Sequence, residues 1–119
     1  MNRVIHFEIL SNDPEKSAHF YGDVFGWKIQ SPPGPMKYWL VHTGTGGPGI
    51  DGGIMGTHFP QAVINTIETE SLEETRGRII AAGGKLVHGP HEVPGVGLHA
   101  YFTDPDGTMF GVMQAHKRG

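Results

Sequence analysis

The chain has 119 residues, with nine Lys or Arg against twelve Asp or Glu and a formal charge of -3 at pH 7. This length fits one domain, and no basic segment offers a surface for nucleic acid. The absence of cysteine excludes disulfides, thiolate zinc sites and cysteine nucleophiles.

The first strand is predicted over residues 3–10, where side chains alternate with a period of two. Ile5, Phe7 and Ile9 share an apolar face, which we expect to lie under a helix. The other face carries the remaining positions, Val4, His6, Glu8 and Leu10. The strand therefore presents polar groups on the side away from the helix.

A helix is predicted next. Asp13 is placed to cap its start, Pro14 suits its first position, and Gly26 suits a left-handed cap at its end. Chain order therefore begins with a strand and a helix.

Short strands are then predicted for Trp27–Gln30 and Met36–Thr43, separated by a Pro- and Gly-rich loop over residues 32–35. The segment 44–56 contains seven glycines. We interpret it as a flexible loop that runs into a short fourth strand around Gly52–Met55. The loop is either a mobile lid that gates a cleft or a turn at the rim of that cleft.

The second half of the chain repeats this plan. Residues 62–69 predict a strand, Ser71–Glu74 form a capping box, and Gly83-Gly84 end the helix. The remaining predicted segments are strands over 85–88, 98–103 and 109–114, a loop over 89–97 and a turn over 104–107. Residues 1–119 therefore form one predicted domain of two β-α-β-β-β modules, about 1–57 and 58–116.

Motifs in both modules resemble those of one superfamily. In the first module they are His6–Leu10, Asp13, Ser17, Phe20-Tyr21 and Val24–Trp27; in the second they are Ala81–Lys85, Val93–Gly97 and Asp104–Thr108. They are similar to motifs of the glyoxalase I/bleomycin-resistance/extradiol-dioxygenase (vicinal oxygen chelate) superfamily, and of its small bacterial branch related to lactoylglutathione lyase. The resemblance implies an α+β fold, in which two βαβββ modules form a curled mixed sheet around a cup-shaped cleft. In that superfamily the cleft binds a small molecule, often over a divalent metal.

The resemblance also implies a metal site with one ligand from each of four strands, typically His or Gln, Glu, His and Glu. His6 stands at the first position, but Val63 falls at the second His position and Gly111 at the closing Glu. Asp51 precedes the position expected on the fourth strand. We therefore expect a degenerate site, with His6 as the surviving ligand. No cofactor is assigned with certainty, and a zinc, nickel, manganese or iron ion is only the candidate that the resemblance offers.

His6 and Glu8 are the candidate catalytic residues, because both project from the face of the first strand that we assign to the cleft. Glu8 would orient or charge the imidazole, and His6 would accept or donate a proton. The alternative is a structural hydrogen-bonded pair in a partly buried sheet, or a Glu at a dimer seam.

Trp39, His99 and Tyr101 are the candidate ligand-binding residues. His99 and Tyr101 alternate on one strand, so both are expected to face the cleft; the alternative for Tyr101 is an ordinary core position. On the third strand either Trp39 or Tyr38 enters the cleft, and we assign Trp39. The other histidines, including His88 and His91, are interpreted as loop or surface residues.

Two functions of different classes follow. The first is a lyase- or isomerase-like enzyme for an oxygenated metabolite, with proton transfer at His6 and Glu8. The second is a protein that holds a drug or metabolite without turnover. The missing metal ligands favour binding, whereas the polar pair and the resemblance favour the enzyme, which is our leading interpretation.

The expected partner is a small molecule, and the resemblance implies a homodimer. Neither a nucleic acid nor a membrane is expected as a partner. Residues 1–8 lack the apolar stretch of a signal peptide, and no uncharged apolar run reaches spanning length. We therefore expect a cytoplasmic protein.

Overall fold

A computed structural model describes residues 1–32, 35 and 37–116. Its elements in chain order are β1 (Val4–Leu10), α1 (Pro14–Phe25), β2 (Lys28–Gln30), β3 (Tyr38–His42), β4 (Asp51–Met55), β5 (Val63–Glu68), α2 (Leu72–Ala81), β6 (Lys85–Val93), β7 (Gly97–Thr103) and β8 (Met109–Ala115). The predicted α+β class, with two βαβββ modules and mixed strand directions, is confirmed.

One compact unit comprises His6–Ile64. Its strands follow the order β2-β3-β4-β1, with β1 parallel to β4 and the other neighbours antiparallel. One face of this sheet packs against α1 around three buried side chains, Ala18, Val41 and Ile54. Phe7 and Ile9 join this core, as the alternation in β1 predicts. Ile5, which is expected on the same buried face, is 37% exposed and is not part of this core.

The other compact unit comprises Met1–Ile5 and the chain from Asn65 onward. Its strands follow the order β5-β8-β7-β6, with β5 parallel to β8 and the rest antiparallel. The core under α2 contains Leu72, Ala100, Phe102 and Val112. The assignment of both units to one domain stays a prediction.

The helix boundaries have the local causes that the sequence indicates. The Lys16 amide donates to Asp13 Oδ1 at 3.2 Å, and the Glu74 amide donates to Ser71 Oγ at 3.2 Å. Gly26 ends α1 in the left-handed region, with φ at 71°. The predicted caps at Asp13, Ser71 and Gly26 are confirmed.

Two segments differ from their predictions. The predicted loop over 89–97 is wrong in its first half, because β6 continues to Val93 across two shifts of register. The glycine-rich segment becomes a strand at Asp51, one residue before the fourth strand predicted around Gly52–Met55. Glycine suits positions 52 and 53 of this strand, because any larger residue would collide with a neighbour. A Cβ on Gly52 would meet Phe7, and a Cβ on Gly53 would meet Tyr38. The predicted strand start at Met36, and loop positions 33 and 34, lie outside the described residues.

Neither helix in the described part of the chain combines the length and apolar character required to cross a membrane. The predicted cytoplasmic location stays a prediction.

Candidate functional site

His6 contacts Tyr38 on the face of the first unit that lies opposite α1. His6 Nε2 and Tyr38 Oη are 2.7 Å apart, and the planes of the two rings differ by 10°. Both side chains are half-buried. This hydrogen bond holds the imidazole in one orientation on the sheet.

A glycine on β4 makes this contact sterically accessible. Gly53 is the register partner of Glu8 on one side and Leu40 on the other. The Tyr38 ring occupies the space that a Cβ on Gly53 would fill. The Tyr38 side chain therefore lies over Gly53 on β4, and its hydroxyl reaches His6 on β1.

Glu8 lies on the same face of β1 as His6 and is 4% exposed. Burial lowers the pKa of His6 below its ordinary value, while the negative charges of Glu8 and Asp51 oppose this shift in part. The imidazole is consequently neutral at pH 7 and able to accept a proton, and the buried carboxylate stabilises the imidazolium that would form.

The lowered pKa of His6 makes stability depend on pH. Unfolded chains bind a proton at this residue at a higher pH than folded chains do, so stability is full above the unfolded pKa of about 6.5 and falls as the pH drops below it. We expect His6→Gln to remove this part of the slope in denaturant unfolding between about pH 7.5 and 5.5. The exposed His19 on α1 provides the control, and equal slopes in wild type, His6→Gln and His19→Gln would contradict the assignment.

A second polar group lies beside His6. His42 Nδ1 is 2.9 Å from Asp51 Oδ2, and the Thr43 amide donates to Asp51 Oδ1 at 3.0 Å. The hydrogen bond from His42, followed by that from Thr43, lowers the pKa of Asp51. Asp51 is thus ionised at pH 7 and accepts both bonds.

His6, His42 and Asp51 line a depression of about 430 Å³ together with residues that include Lys28, Gln30 and Leu40. Another concavity of about 590 Å³ is lined by Leu10 and residues 57–62, where His58 is the one titratable side chain among the lining residues. The acid–base groups are therefore concentrated in the first depression.

The register of β3 decides which aromatic residue lies on the same face of the sheet as His6. Trp39 pairs with Ile54 and packs in the core under α1, whereas Tyr38 lies on the His6 face. Sequence reasoning assigned Trp39, and the structure puts Tyr38 in that position instead. The uncertain length of the loop before β3 had left the register open.

The second unit brings His99 and Tyr101 together. Both are buried, their ring centroids are 4.5 Å apart, and His99 Nε2 lies 3.4 Å from Thr66 Oγ1. Leu98, Ala100 and Phe102 lie in or against the α2 core, as the predicted alternation requires. A Cβ on Gly111 would lie 2.7 Å from His99 Nε2, so this glycine repeats the role of Gly53.

His88 and His91 are exposed histidines. The predicted strand over 85–88 ends at His88, and His91 falls in the predicted loop over 89–97. Both belong to β6, where His88 pairs with Tyr101 and His91 with His99. The register shifts on either side of His88 bring these residues, three apart in sequence, onto one face. Their alternation signal is hidden because a bulge breaks the period of two.

The residues at the implied metal positions do not fit a metal. Gly111 has no side chain, and the space beside it is filled by Thr66 and His99. Val63 has no donor atom, and His6 Nε2 is engaged by Tyr38. Among residues 1–32, 35 and 37–116, no three His, Asp or Glu side chains are grouped so that they could hold an ion.

Comparisons with known proteins agree with this fold. Residues 3–44 match the family described as bleomycin resistance protein-like N-terminal. The chain is 29% identical to the anthracycline biosynthesis protein DnrV of Streptomyces peucetius over 89% of its own length, and it spans 44% of that relative.

Two solved structures have the same fold. A glyoxalase/bleomycin resistance protein/dioxygenase superfamily member from Vibrio splendidus is 20% identical with a TM-score of 0.68, covering 98% of this chain and all (100%) of that chain. The Streptomyces coelicolor methylmalonyl-CoA epimerase, in complex with 2-nitronate-propionyl-CoA, is 11% identical with a TM-score of 0.72, covering 98% and 99%. The resemblance found in the sequence motifs is confirmed.

Proposed function

We propose that this chain, which resembles the glyoxalase/bleomycin-resistance/dioxygenase superfamily in its fold and in its N-terminal sequence, belongs to that superfamily and is a small-molecule enzyme that transfers a proton at His6. The observation that carries the proposal is the neutral, half-buried imidazole held 2.7 Å from Tyr38 Oη beside the buried Glu8 carboxylate. The reaction class is that of a lyase or isomerase.

The chemistry requires a substrate with a C–H bond next to a carbonyl group. Nδ1 of His6, the ring nitrogen that Tyr38 does not contact, accepts the proton, and the Glu8 carboxylate stabilises the imidazolium. Tyr38 fixes the ring against the sheet, so the imidazole need not reorient during transfer. No step passes through a metal, because Val63 and Gly111 provide no ligands.

The isomerase part of this proposal is supported by the name of a solved protein with the same fold. An epimerase inverts a carbon centre, and the S. coelicolor epimerase of the same fold was solved with a CoA ester analogue. We also propose, from the resemblance, that the chain is a homodimer and acts in the cytoplasm. Light scattering coupled to size-exclusion chromatography tests the dimer.

Binding without turnover is the second candidate function. The observations that favour it are the two implied ligand positions that lack donors, Val63 and Gly111, and the match to a bleomycin resistance protein-like family. In this case the depression would hold a drug-like or metabolite ligand against Leu40, which lines it.

Hydrogen exchange separates the two functions. Methylmalonyl-CoA and small α-hydroxy carbonyl compounds are incubated with the protein in ²H₂O, and loss of the acidic proton is followed by NMR. We expect exchange with wild type and a loss of about 10²-fold or more in His6→Gln, since general bases contribute about 10² to 10⁴ in rate. Tyr38→Phe should lose less, and His19→Gln should match wild type.

The opposite result is equally clear. If wild type exchanges no proton but an anthracycline or bleomycin raises its melting temperature, binding without turnover is the better description. If exchange occurs and survives in His6→Gln, the site lies elsewhere. Metal content per purified chain, measured in parallel, shows whether an ion accompanies any activity.

A further inference from the structure

Four residues form one row across the sheet of the first unit. Lys28 on β2 pairs with His42 on β3, His42 is bonded to Asp51 on β4, and Asp51 pairs with His6 on β1. Laterally paired side chains project to the same face of a sheet, and all four line the depression of about 430 Å³. His6 is therefore not the only imidazole at this site.

The hydrogen bonds fix the tautomer of His42. Asp51 is ionised and can only accept, so His42 Nδ1 carries the proton that it donates across 2.9 Å. Asp51 is held in turn by the Thr43 amide at 3.0 Å, and Thr43 Oγ1 donates to the Ile50 carbonyl at 2.8 Å. The other ring nitrogen, Nε2, is left for the depression, and in the imidazolium form it bears a hydrogen.

The spacing suits a small substrate. His6 and His42 are two strand separations apart, about 10 Å between Cα atoms. Asp51 stands between them in the row, and its carboxylate oxygens are engaged by His42 and the Thr43 amide. A carbonyl compound of a few heavy atoms would therefore lie above Asp51, with its acidic carbon at His6 and its oxygen at His42. Leu40, which is 49% exposed, provides apolar contact in the same depression.

We propose that His42, oriented by Asp51, is a second catalytic residue, which stabilises the negative charge that develops on the substrate oxygen. This inference rests on the proposed proton transfer at His6. The C–H bond breaks, its proton goes to the His6 nitrogen, and its electron pair forms the C=C bond of an enolate. The oxygen of that enolate accepts a hydrogen bond from the His42 imidazolium Nε2–H, and return of the proton to carbon completes the cycle without any redox change.

The proposal assigns to a His–Asp pair the electrostatic role that a metal ion would otherwise take. Lys28 also lines the depression, and no ion pair joins it to a carboxylate in the part of the chain that the structure describes. Its ammonium is the competing explanation for any anion affinity of this site. The test therefore includes a variant at Lys28.

Oxalate is a suitable probe, because it presents oxygens in a plane, with negative charge, as an enediolate does. Calorimetric titration with sodium oxalate is compared in wild type, His42→Ala, Asp51→Asn, Lys28→Met and the control His19→Ala. We expect affinity to fall about 10-fold or more in His42→Ala and several-fold in Asp51→Asn, with no change in His19→Ala. In the exchange assay, His42→Ala should lower kcat about 10²-fold with a small change in KM, as removal of one oxyanion donor does.

The outcomes separate this inference from the proposed function. If oxalate affinity depends on His42 but wild type exchanges no proton, the two proposals separate. The anion site at His42 is then supported, and turnover by the proposed proton transfer is contradicted. Equal oxalate affinity in wild type and His42→Ala overturns the role of His42, as does the absence of oxalate binding to wild type. If only Lys28→Met loses oxalate affinity, the anion is bound by the Lys28 ammonium, and the proposed role of His42 is overturned as well.

Discussion

Replacing Gly53 by alanine is expected to destabilise the protein by about 2 to 4 kcal/mol, combining overpacking with the loss of one hydrogen bond. A Cβ at this position collides with the tip of the Tyr38 ring, so the whole ring must swing away from the sheet. The φ angle of Gly53 is not positive, so the backbone itself accepts alanine and the effect is steric. Since Tyr38 must move, its bond to His6 is lost and the proton transfer at His6 should weaken as well.

Gly77 is the matched control, because it lies in α2 and a Cβ there meets no atom within 4 Å. Gly77→Ala should raise stability by up to about 1 kcal/mol through helix propensity. Urea unfolding of both variants measures the difference. A Gly53→Ala protein as stable as wild type, with the Tyr38 hydroxyl still bonded to His6 by NMR, would show that the ring is not where the structure has it.

Phe102→Ala is expected to cost about 3 to 5 kcal/mol, the range for emptying a large buried aromatic site. Phe102 is 0% exposed and packs in the α2 core with Ala100 and Val112; its ring centroid is 5.9 Å from that of Phe110. The cavity cannot close readily, because strands β7 and β8 are fixed by their ladder. Phe102→Leu should cost less, since most of the volume remains.

Phe20 on α1 is the control for this prediction, because its side chain is 56% exposed. Phe20→Ala should change the free energy of unfolding by less than about 1 kcal/mol. Denaturant midpoints of the three variants give the comparison. Similar losses in Phe102→Ala and Phe20→Ala would contradict the assignment of Phe102 to the core.

Much of the fold follows from local features of the sequence. The alternation in β1 separates Phe7 and Ile9 from His6 and Glu8, and the caps at Asp13 and Ser71 give the helix starts. These features are readable because each depends on residues within one turn or one strand. The motifs of the two modules likewise indicated the superfamily.

The candidate site was predictable only in part. His6 and Glu8 could be placed on one face from a single strand, and His99 and Tyr101 from another. Their functional roles stay predictions. Tyr38, His42 and Asp51 join His6 through the register of β3 and β4, which no local pattern encodes.

Sequence alone determined which side chains each strand presents together, because the two faces of a strand alternate whatever its neighbours are. Tertiary structure decided which strands stand side by side and in what register, and therefore that Tyr38 rather than Trp39 reaches His6. It also decided that Gly53 and Gly111 make room for rings from neighbouring strands. The physical reason is that a shift of one residue between strands reverses every contact across the sheet, and only packing of the whole unit selects one register.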